Sequence, residues 1–132
     1  MSVENASLLT GPTITVTGGT AQTFAIDGTV VNRGVQIADT AEADVRTRDV
    51  IVFKNVSGAM QTNGTWSKDR RSAKFVSPDL LPDGTQDFPF FEISLVKSPL
   101  WTQAKLDSMK EKAVQLLTDA DFASFWQMGS LK

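Results

Sequence analysis

Alternating apolar and polar positions cover the first two thirds of the chain and predict β-strands. Thr13 to Thr17 and Ala21 to Ile26 flank Gly18-Gly19, which predicts an N-terminal hairpin. Three further runs have the composition of strands and are separated by short connections that are acidic or rich in glycine, serine and asparagine: Gly34 to Ala38, Val45 to Val56 and Trp66 to Val76. The pattern therefore predicts an antiparallel meander.

The last strand is predicted from Phe88 to Val96, because Phe91, Ile93 and Leu95 alternate with more polar positions. Before it, Ser77 to Asp87 contains two prolines and a glycine, which disfavour both helix and strand. We expect this segment to form a long exposed loop, and loops of that length are often functional.

The hydrophobic period becomes helical after the last strand. A first helix is predicted from the spacing of Leu106, Met109, Ala113, Leu116 and Leu117, with Ser98-Pro99 as its cap and first residue. Thr118 and Asp121 resemble a capping box that starts a short second helix, which Gly129 ends. Strands followed by helices indicate the α+β class.

With 132 residues the chain has the length of one domain, 1–132, with a β-hairpin and five-stranded sheet in 1–97 and a helical segment in 98–132. Two amphipathic helices cover only one face of such a sheet, and the second helix is strongly aromatic. A partner chain would solve this problem if the helices of each subunit packed on the sheet of the other, as in an intertwined dimer. The candidate dimer-interface residues are Trp101, Leu106, Met109, Leu116, Phe122, Phe125 and Trp126.

Composition excludes most kinds of active site. The chain has no cysteine and no histidine, so the commonest nucleophilic, general-base and metal-binding groups are missing. Asp79, Asp83 and Asp87 lack the compact spacing of a calcium loop and are interpreted as solvated loop residues. We expect no enzyme activity, no cofactor and no metal, and the absence of a long apolar run predicts no membrane span.

Charge is distributed unevenly along the chain. The net charge is -2, but Arg46 to Lys74 holds seven basic and two acidic residues, a net charge of +5, whereas the remainder holds six basic and thirteen acidic residues, a net charge of -7. Such segregation permits one positive surface on an acidic protein and indicates a polyanionic partner. The alternative is that the basic residues only keep one face of the sheet solvated.

In order and spacing of these elements, the chain resembles the coat proteins of the single-stranded RNA bacteriophages, the leviviruses and their relatives. The sharpest local similarities are Phe75-Val76-Ser77-Pro78, the strand from Phe90 to Val96 and the helix pair from Ser98 to Leu131. The resemblance implies a homodimer that assembles into an icosahedral capsid around single-stranded viral RNA, and that can bind an RNA hairpin as a translational repressor. It also implies a location in the virion, with assembly in the cytoplasm of the bacterial host.

In that family, the sheet face opposite the helices lines the particle interior and binds RNA. If Ile51, Phe53, Ala73 and Phe75 face the helices, strand alternation implies the RNA-binding residues Arg46, Arg48, Lys54, Arg70, Ser72, Lys74, Phe90 and Glu92. Glu92 departs from the family, which usually has an amide or similar polar group there. Its carboxylate repels phosphate, but it could pair with an arginine or accept a hydrogen bond from a cytosine amine.

Two alternatives remain open from the sequence. Phe90 could be a core aromatic residue instead of a platform for base stacking, because apolar residues flank it. The whole chain could also be a tail or fibre β-module that assembles without nucleic acid.

Overall fold

The computed structural model describes residues 6–12 and 15–131, which form two compact units. One unit, Gly19–Leu100, holds the strands β1 Phe24–Ile26, β2 Gly34–Asp39, β3 Val50–Val56, β4 Asp69–Val76, β5 Asp79–Leu80, β6 Gln86–Asp87 and β7 Phe90–Lys97. The other unit combines the described residues up to Gly18 with the helices α1 Gln103–Thr118 and α2 Ala123–Met128.

The main sheet is an antiparallel meander of five strands in the order β1, β2, β3, β4, β7. This arrangement confirms the α+β class, the five-stranded antiparallel sheet and the two C-terminal helices predicted from the sequence. In the described part of the chain, β7 pairs only with β4 and is therefore an edge strand. Its eight residues make it as long as β4, so the edge offers a full row of backbone hydrogen-bonding groups.

The first hairpin of the sheet is not the one predicted around Gly18-Gly19. Within the described residues, 15–23 form no strand, and β1 pairs with β2 instead, while Thr13 and Ile14 lie outside the described residues. Polar contacts explain the change, because the amide of Gln22 donates to Asp39 at 2.8 Å and to Asp49 at 3.0 Å. The segment leading into β1 is thus held against β2.

The segment from Ser77 to Asp87 is more ordered than the predicted loop. Its strands β5 and β6 pair as a two-stranded ribbon, with Asp79 opposite Asp87. The turn is closed by Asp83, whose carboxylate accepts from the backbone and hydroxyl of Thr85, and by Gly84, which has a φ of 87°. The hydrogen bonds between Asp83 and Thr85 therefore help to order a segment whose prolines cannot donate backbone hydrogen bonds.

Both predicted helices are present, but their caps differ from the prediction. Thr102, not Ser98, caps α1 by accepting from the Lys105 amide, because the Ser98 hydroxyl instead accepts from Leu100 in the preceding turn. Asp119, not Thr118, accepts from the Asp121 amide and starts the short 3-10 turn Ala120–Phe122 before α2. Gly129 ends α2 in the left-handed conformation, as predicted.

The N-terminal segment is attached to α1 through one buried side chain. The Gln115 amide accepts from the Leu9 backbone at 2.6 Å and donates to the Leu9 carbonyl at 3.0 Å. These two bonds resemble those between paired backbone peptides. Gln115 therefore satisfies the N–H and C=O groups of Leu9, which no strand pairs with. Neither helix in the described residues is long and apolar enough to span a membrane.

Gly34 tests how tightly β2 approaches β3. A Cβ at this position would meet the backbone carbonyl of Phe53 and the Cα of Lys54, neither of which can rotate away. We therefore expect Gly34→Ala to lower the free energy of unfolding by about 1–3 kcal/mol in urea denaturation. Val30→Ala is the control, since Val30 is 95% exposed in the preceding loop, and equal stability of the two variants would contradict the close approach.

Candidate nucleic-acid interface

The register of the sheet sorts side chains onto two faces, because directly opposed residues point to the same side. Val52 is opposite Lys74, which in turn is opposite Glu92, and the next such row joins Lys54, Ser72 and Ser94. This face, called the polar face below, carries the polar and charged residues Gln36, Lys54, Arg70, Ser72, Lys74, Glu92 and Ser94, together with Phe90 and the apolar residues Ala38, Val50, Val52, Val56, Val76 and Val96. Six of the eight predicted RNA-binding residues thus lie on one surface: Lys54, Arg70, Ser72, Lys74, Phe90 and Glu92.

The basic side chains of the main sheet differ in their pairing according to face. Lys54, Arg70 and Lys74 on the polar face have no ion pair within 4.0 Å among the described residues. Arg71 and Lys97 point to the other face, and both lie near the Asp69 carboxylate, at 3.9 Å and 3.1 Å. The polar face therefore keeps three cations available for an external anion, whereas the opposite face neutralises its own.

Phe90 and Lys74 form the most defined contact on the polar face. The Lys74 ammonium lies 4.0 Å from the centre of the Phe90 ring, a cation–π geometry. Phe90 is nevertheless 58% exposed, so part of its ring surface is accessible to solvent. The exposure disfavours a core role for Phe90 within this chain.

Among the described residues, Glu92 forms no ion pair and no side-chain hydrogen bond, although Lys74 is its register partner. The arginine pairing considered from the sequence is therefore not formed. Lys74 lies over Phe90 instead, which leaves an exposed carboxylate among unpaired cations.

The loop between β1 and β2 contributes residues that the sequence reasoning missed. Thr29 and Asn32 from this loop, together with Gln36, border a polar cavity of about 440 Å³ that also contains Lys54, Lys74 and Glu92. Alternation along the strand Gly34 to Ala38 could have identified Gln36, since it is opposite Val52. No local pattern could have predicted where the loop residues lie.

Arg46 and Arg48 are not part of the sheet, because β3 begins at Val50 and not at the predicted Val45. Asp44 turns the chain just before, accepting from the Arg46 backbone at 2.9 Å and pairing with its guanidinium at 3.0 Å. Arg48 donates to the backbone carbonyl of Glu42 at 2.9 Å. Strand alternation thus gives no information about these two arginines.

The second face of the sheet is apolar and poorly covered. Its apolar residues are Val35, Ile37, Ile51, Phe53, Ala73, Phe75, Phe91, Ile93 and Leu95, and Asn55, Asp69, Arg71 and Lys97 lie on the same side. Phe53 is 43% exposed and Ile93 is 53% exposed, and both line an almost wholly apolar groove of about 490 Å³. Burial of such side chains is strongly favourable, so this face has the character of an interface.

The predicted dimer-interface residues on the helices are mostly exposed as well. Trp101, Met109, Leu116, Phe125 and Trp126 are exposed, and Leu106 is half-buried. Phe122 differs, because it is buried within the chain itself. Ala38 and Phe122 are the buried hydrophobic residues in the described ranges, so the core of the single chain is very small.

The described residues contain no group of three or more histidine, cysteine, aspartate or glutamate side chains suited to a metal ion. Asp79 and Asp87, opposite each other in the ribbon, each accept from the backbone amide of the following residue. The loop aspartates therefore serve local backbone geometry.

Comparison with known proteins gives consistent structural neighbours. A virus-like particle of bacteriophage GQ-907 superposes with a TM-score of 0.93 at 34% identity, over 99% of this chain and 100% of that one. Two further virus-like particles share the fold. That of bacteriophage AVE019 has a TM-score of 0.68 at 9% identity, over 88% of this chain and 92% of that one. That of bacteriophage ESE058 has a TM-score of 0.53 at 17% identity, over 87% of this chain and 98% of that one. No family model and no curated protein matches the sequence.

The fold shared over the full length with a subunit of the GQ-907 particle, at 34% identity, defines the chain as a structural protein of a viral shell and not an enzyme. Since the likeness to the GQ-907 particle extends over the full length at 34% identity, the chain belongs to the coat proteins of the RNA bacteriophages, and its place is the virion.

Asp69 provides a test of the electrostatics on the apolar face. Its pKa is lowered from 3.8, first by the hydrogen bond from the Gly58 amide and then by the Lys97 ammonium. A lowered pKa in the folded state adds stability that is present above the unfolded value and is lost as pH falls through the folded value. Asp69→Asn should therefore lower the Tm near neutral pH, and the difference from wild type should shrink as the pH falls below 3.8.

The control is Asp44→Asn, which changes the same charge in an exposed pair with Arg46. Thermal unfolding at several pH values measures both variants. An Asp69→Asn protein no less stable than the Asp44→Asn protein at neutral pH would contradict the structural importance of Asp69.

Proposed function

We propose that the polar face binds single-stranded viral RNA on the inside of an icosahedral capsid built from homodimers of this chain. The observation that supports this most directly is the contrast between the unpaired Lys54, Arg70 and Lys74 and the paired Arg71 and Lys97. Acidic and basic residues are interspersed on an ordinary solvated surface, whereas Glu92, the acidic residue on the described part of this face, pairs with none of these cations. Three unpaired cations on a pleated surface fit a phosphate backbone instead.

The remaining groups of the polar face suit RNA more than DNA duplex or protein. The partly exposed ring of Phe90 can stack with an unpaired base, which contributes about 1–3 kcal/mol in single-strand binding. The Ser72 hydroxyl can donate to and accept from base edges or the ribose 2′-hydroxyl, and the Gln36 amide oxygen can accept, since its nitrogen donates to Asp27 and Thr29. Arg46 and Arg48, in the loop before β3, would extend the basic surface beyond the end of the sheet.

We further propose that the dimer forms through both apolar surfaces. The exposed edge of β7 would pair with the β7 of a second copy, and the helices of each subunit would cover the apolar face of its partner. Support comes from the exposure of Phe53, Ile93 and Trp126, which a single chain leaves uncovered. Pairing at β7 would join the two polar faces into one continuous RNA-binding surface.

The same continuous surface would be available on dimers before the shell closes. In the cytoplasm of the host bacterium it would bind a hairpin of the viral RNA, and a hairpin at a start of translation would then be repressed. Packaging and repression would thus use one set of side chains, because both require phosphate neutralisation and contact with unpaired bases.

Arg70 and Arg71 offer a matched test of RNA binding, since they are adjacent in β4 and point to opposite faces. Arg70→Gln should reduce the RNA content of purified particles and lower the slope of log K against log salt by about 0.7, one single-strand phosphate contact. Arg71→Gln should change neither quantity. Equal loss of RNA in both variants, or in neither, would favour a shell protein whose polar face is merely solvated.

Ile93 and Ser94 provide the corresponding test of the dimer, because they are neighbours in β7 on the apolar and polar faces. Ile93→Asp would bury a charge under the partner's helices and should abolish dimers at micromolar concentration. Ser94→Asp should leave the dimer intact. Analytical ultracentrifugation measures both, and an Ile93→Asp dimer as stable as wild type would contradict burial of the apolar face.

A further inference from the structure

Glu92 is the acidic side chain on a face that otherwise presents unpaired cations. It lies in the polar cavity of about 440 Å³, where Lys54 and Lys74 supply positive charge and Thr29, Asn32 and Gln36 supply neutral hydrogen-bonding groups. A surface that only attracted phosphate would gain nothing from a carboxylate at its centre, because like charges repel. A carboxylate at this position is suited instead to a ligand that offers hydrogen-bond donors.

Internal pairing does not provide that partner. Lys74 is directly opposite Glu92 in the register, yet it forms no ion pair with it within 4.0 Å and lies over the Phe90 ring at 4.0 Å. Glu92 is thus exposed and lines the same cavity as Lys54 and Lys74. A ligand in the cavity can meet donors and an acceptor, and the Phe90 ring adjoins the cavity beneath the Lys74 ammonium.

The chemistry of the four bases distinguishes between occupants of this cavity. An ionised carboxylate only accepts hydrogen bonds, so it needs donors. Guanine presents two adjacent donors, N1–H and N2–H₂, beside the acceptors O6 and N7. Cytosine and adenine each offer a single amino group, and uracil offers one N–H between two carbonyl oxygens that the carboxylate repels. A lysine and a carboxylate on one surface therefore match guanine best.

We propose that this cavity binds an unpaired guanine of single-stranded RNA and that Glu92 determines the base preference. Glu92 accepts from N1–H and N2–H₂, a neighbouring lysine donates to O6 or N7, and Phe90 contributes an aromatic surface. The inference rests on the proposed RNA binding by the polar face. It adds to it a base-specific residue, which neutralisation of phosphates does not require.

The test uses full-length protein that has been dissociated from particles and freed of RNA. Four fluorescent RNA oligonucleotides of about ten adenines differ only in the central base, which is guanine, cytosine, uracil or adenine. Fluorescence anisotropy at one salt concentration gives the four Kd values. We expect wild type to bind the guanine oligonucleotide about tenfold more tightly than the uracil oligonucleotide, the discrimination of one good two-bond base contact.

Glu92→Gln keeps the shape of the side chain and removes its charge. This variant should bind all four oligonucleotides more tightly, because phosphate repulsion is lost, while the guanine preference falls to about twofold or less. Glu111→Gln makes the same charge change on α1 and should keep the preference of wild type.

Equal binding of the four oligonucleotides by wild type, or a preference that survives Glu92→Gln, would overturn the guanine assignment and leave the RNA-binding proposal standing. Failure of wild type to bind any of the four at low salt would instead overturn the proposed RNA binding itself.

Discussion

The antiparallel register of β3, β4 and β7 is the constraint on which the rest of the molecule depends. It places Lys54, Lys74 and Glu92 on one side and Phe53, Phe75 and Ile93 on the other. Since strand side chains alternate with a period of two, a slip of one residue in β4 would carry its cations onto the apolar face. The register of these strands therefore determines both the charged surface and the apolar surface of the protein.

The apolar side of this arrangement explains why the single chain has so little core. Ala38 and Phe122 are the buried hydrophobic residues in the part that the structure describes, while Phe53, Ile93 and Trp126 remain largely accessible. A chain of 132 residues can bury a substantial core by itself. Here the apolar side chains lie on exposed surfaces instead, as expected of a subunit that gains part of its stability by associating with other subunits.

The sequence predicted the class of fold, the order of its elements and the polar side of the sheet, because each depends on the local alternation of residues. It placed Lys54, Arg70 and Lys74 correctly on one face for that reason. The strand that it predicted through Arg46 and Arg48 is absent because Asp44 forms a turn through its side chain, and strand patterns do not record such a turn. The sequence could not predict that the Lys74 ammonium lies over Phe90 and not beside Glu92, because this contact depends on side-chain rotamers in the folded structure.

The arrangement of dimers and RNA in the shell can be observed by electron cryomicroscopy of particles formed by the protein alone in bacteria. We expect closed icosahedral shells of dimers, in which partner helices cover Phe53 and Ile93 and RNA density adjoins the face that carries Arg70 and Lys74. Shells whose apolar sheet face is turned to the lumen, or open filaments without internal density, would contradict this arrangement.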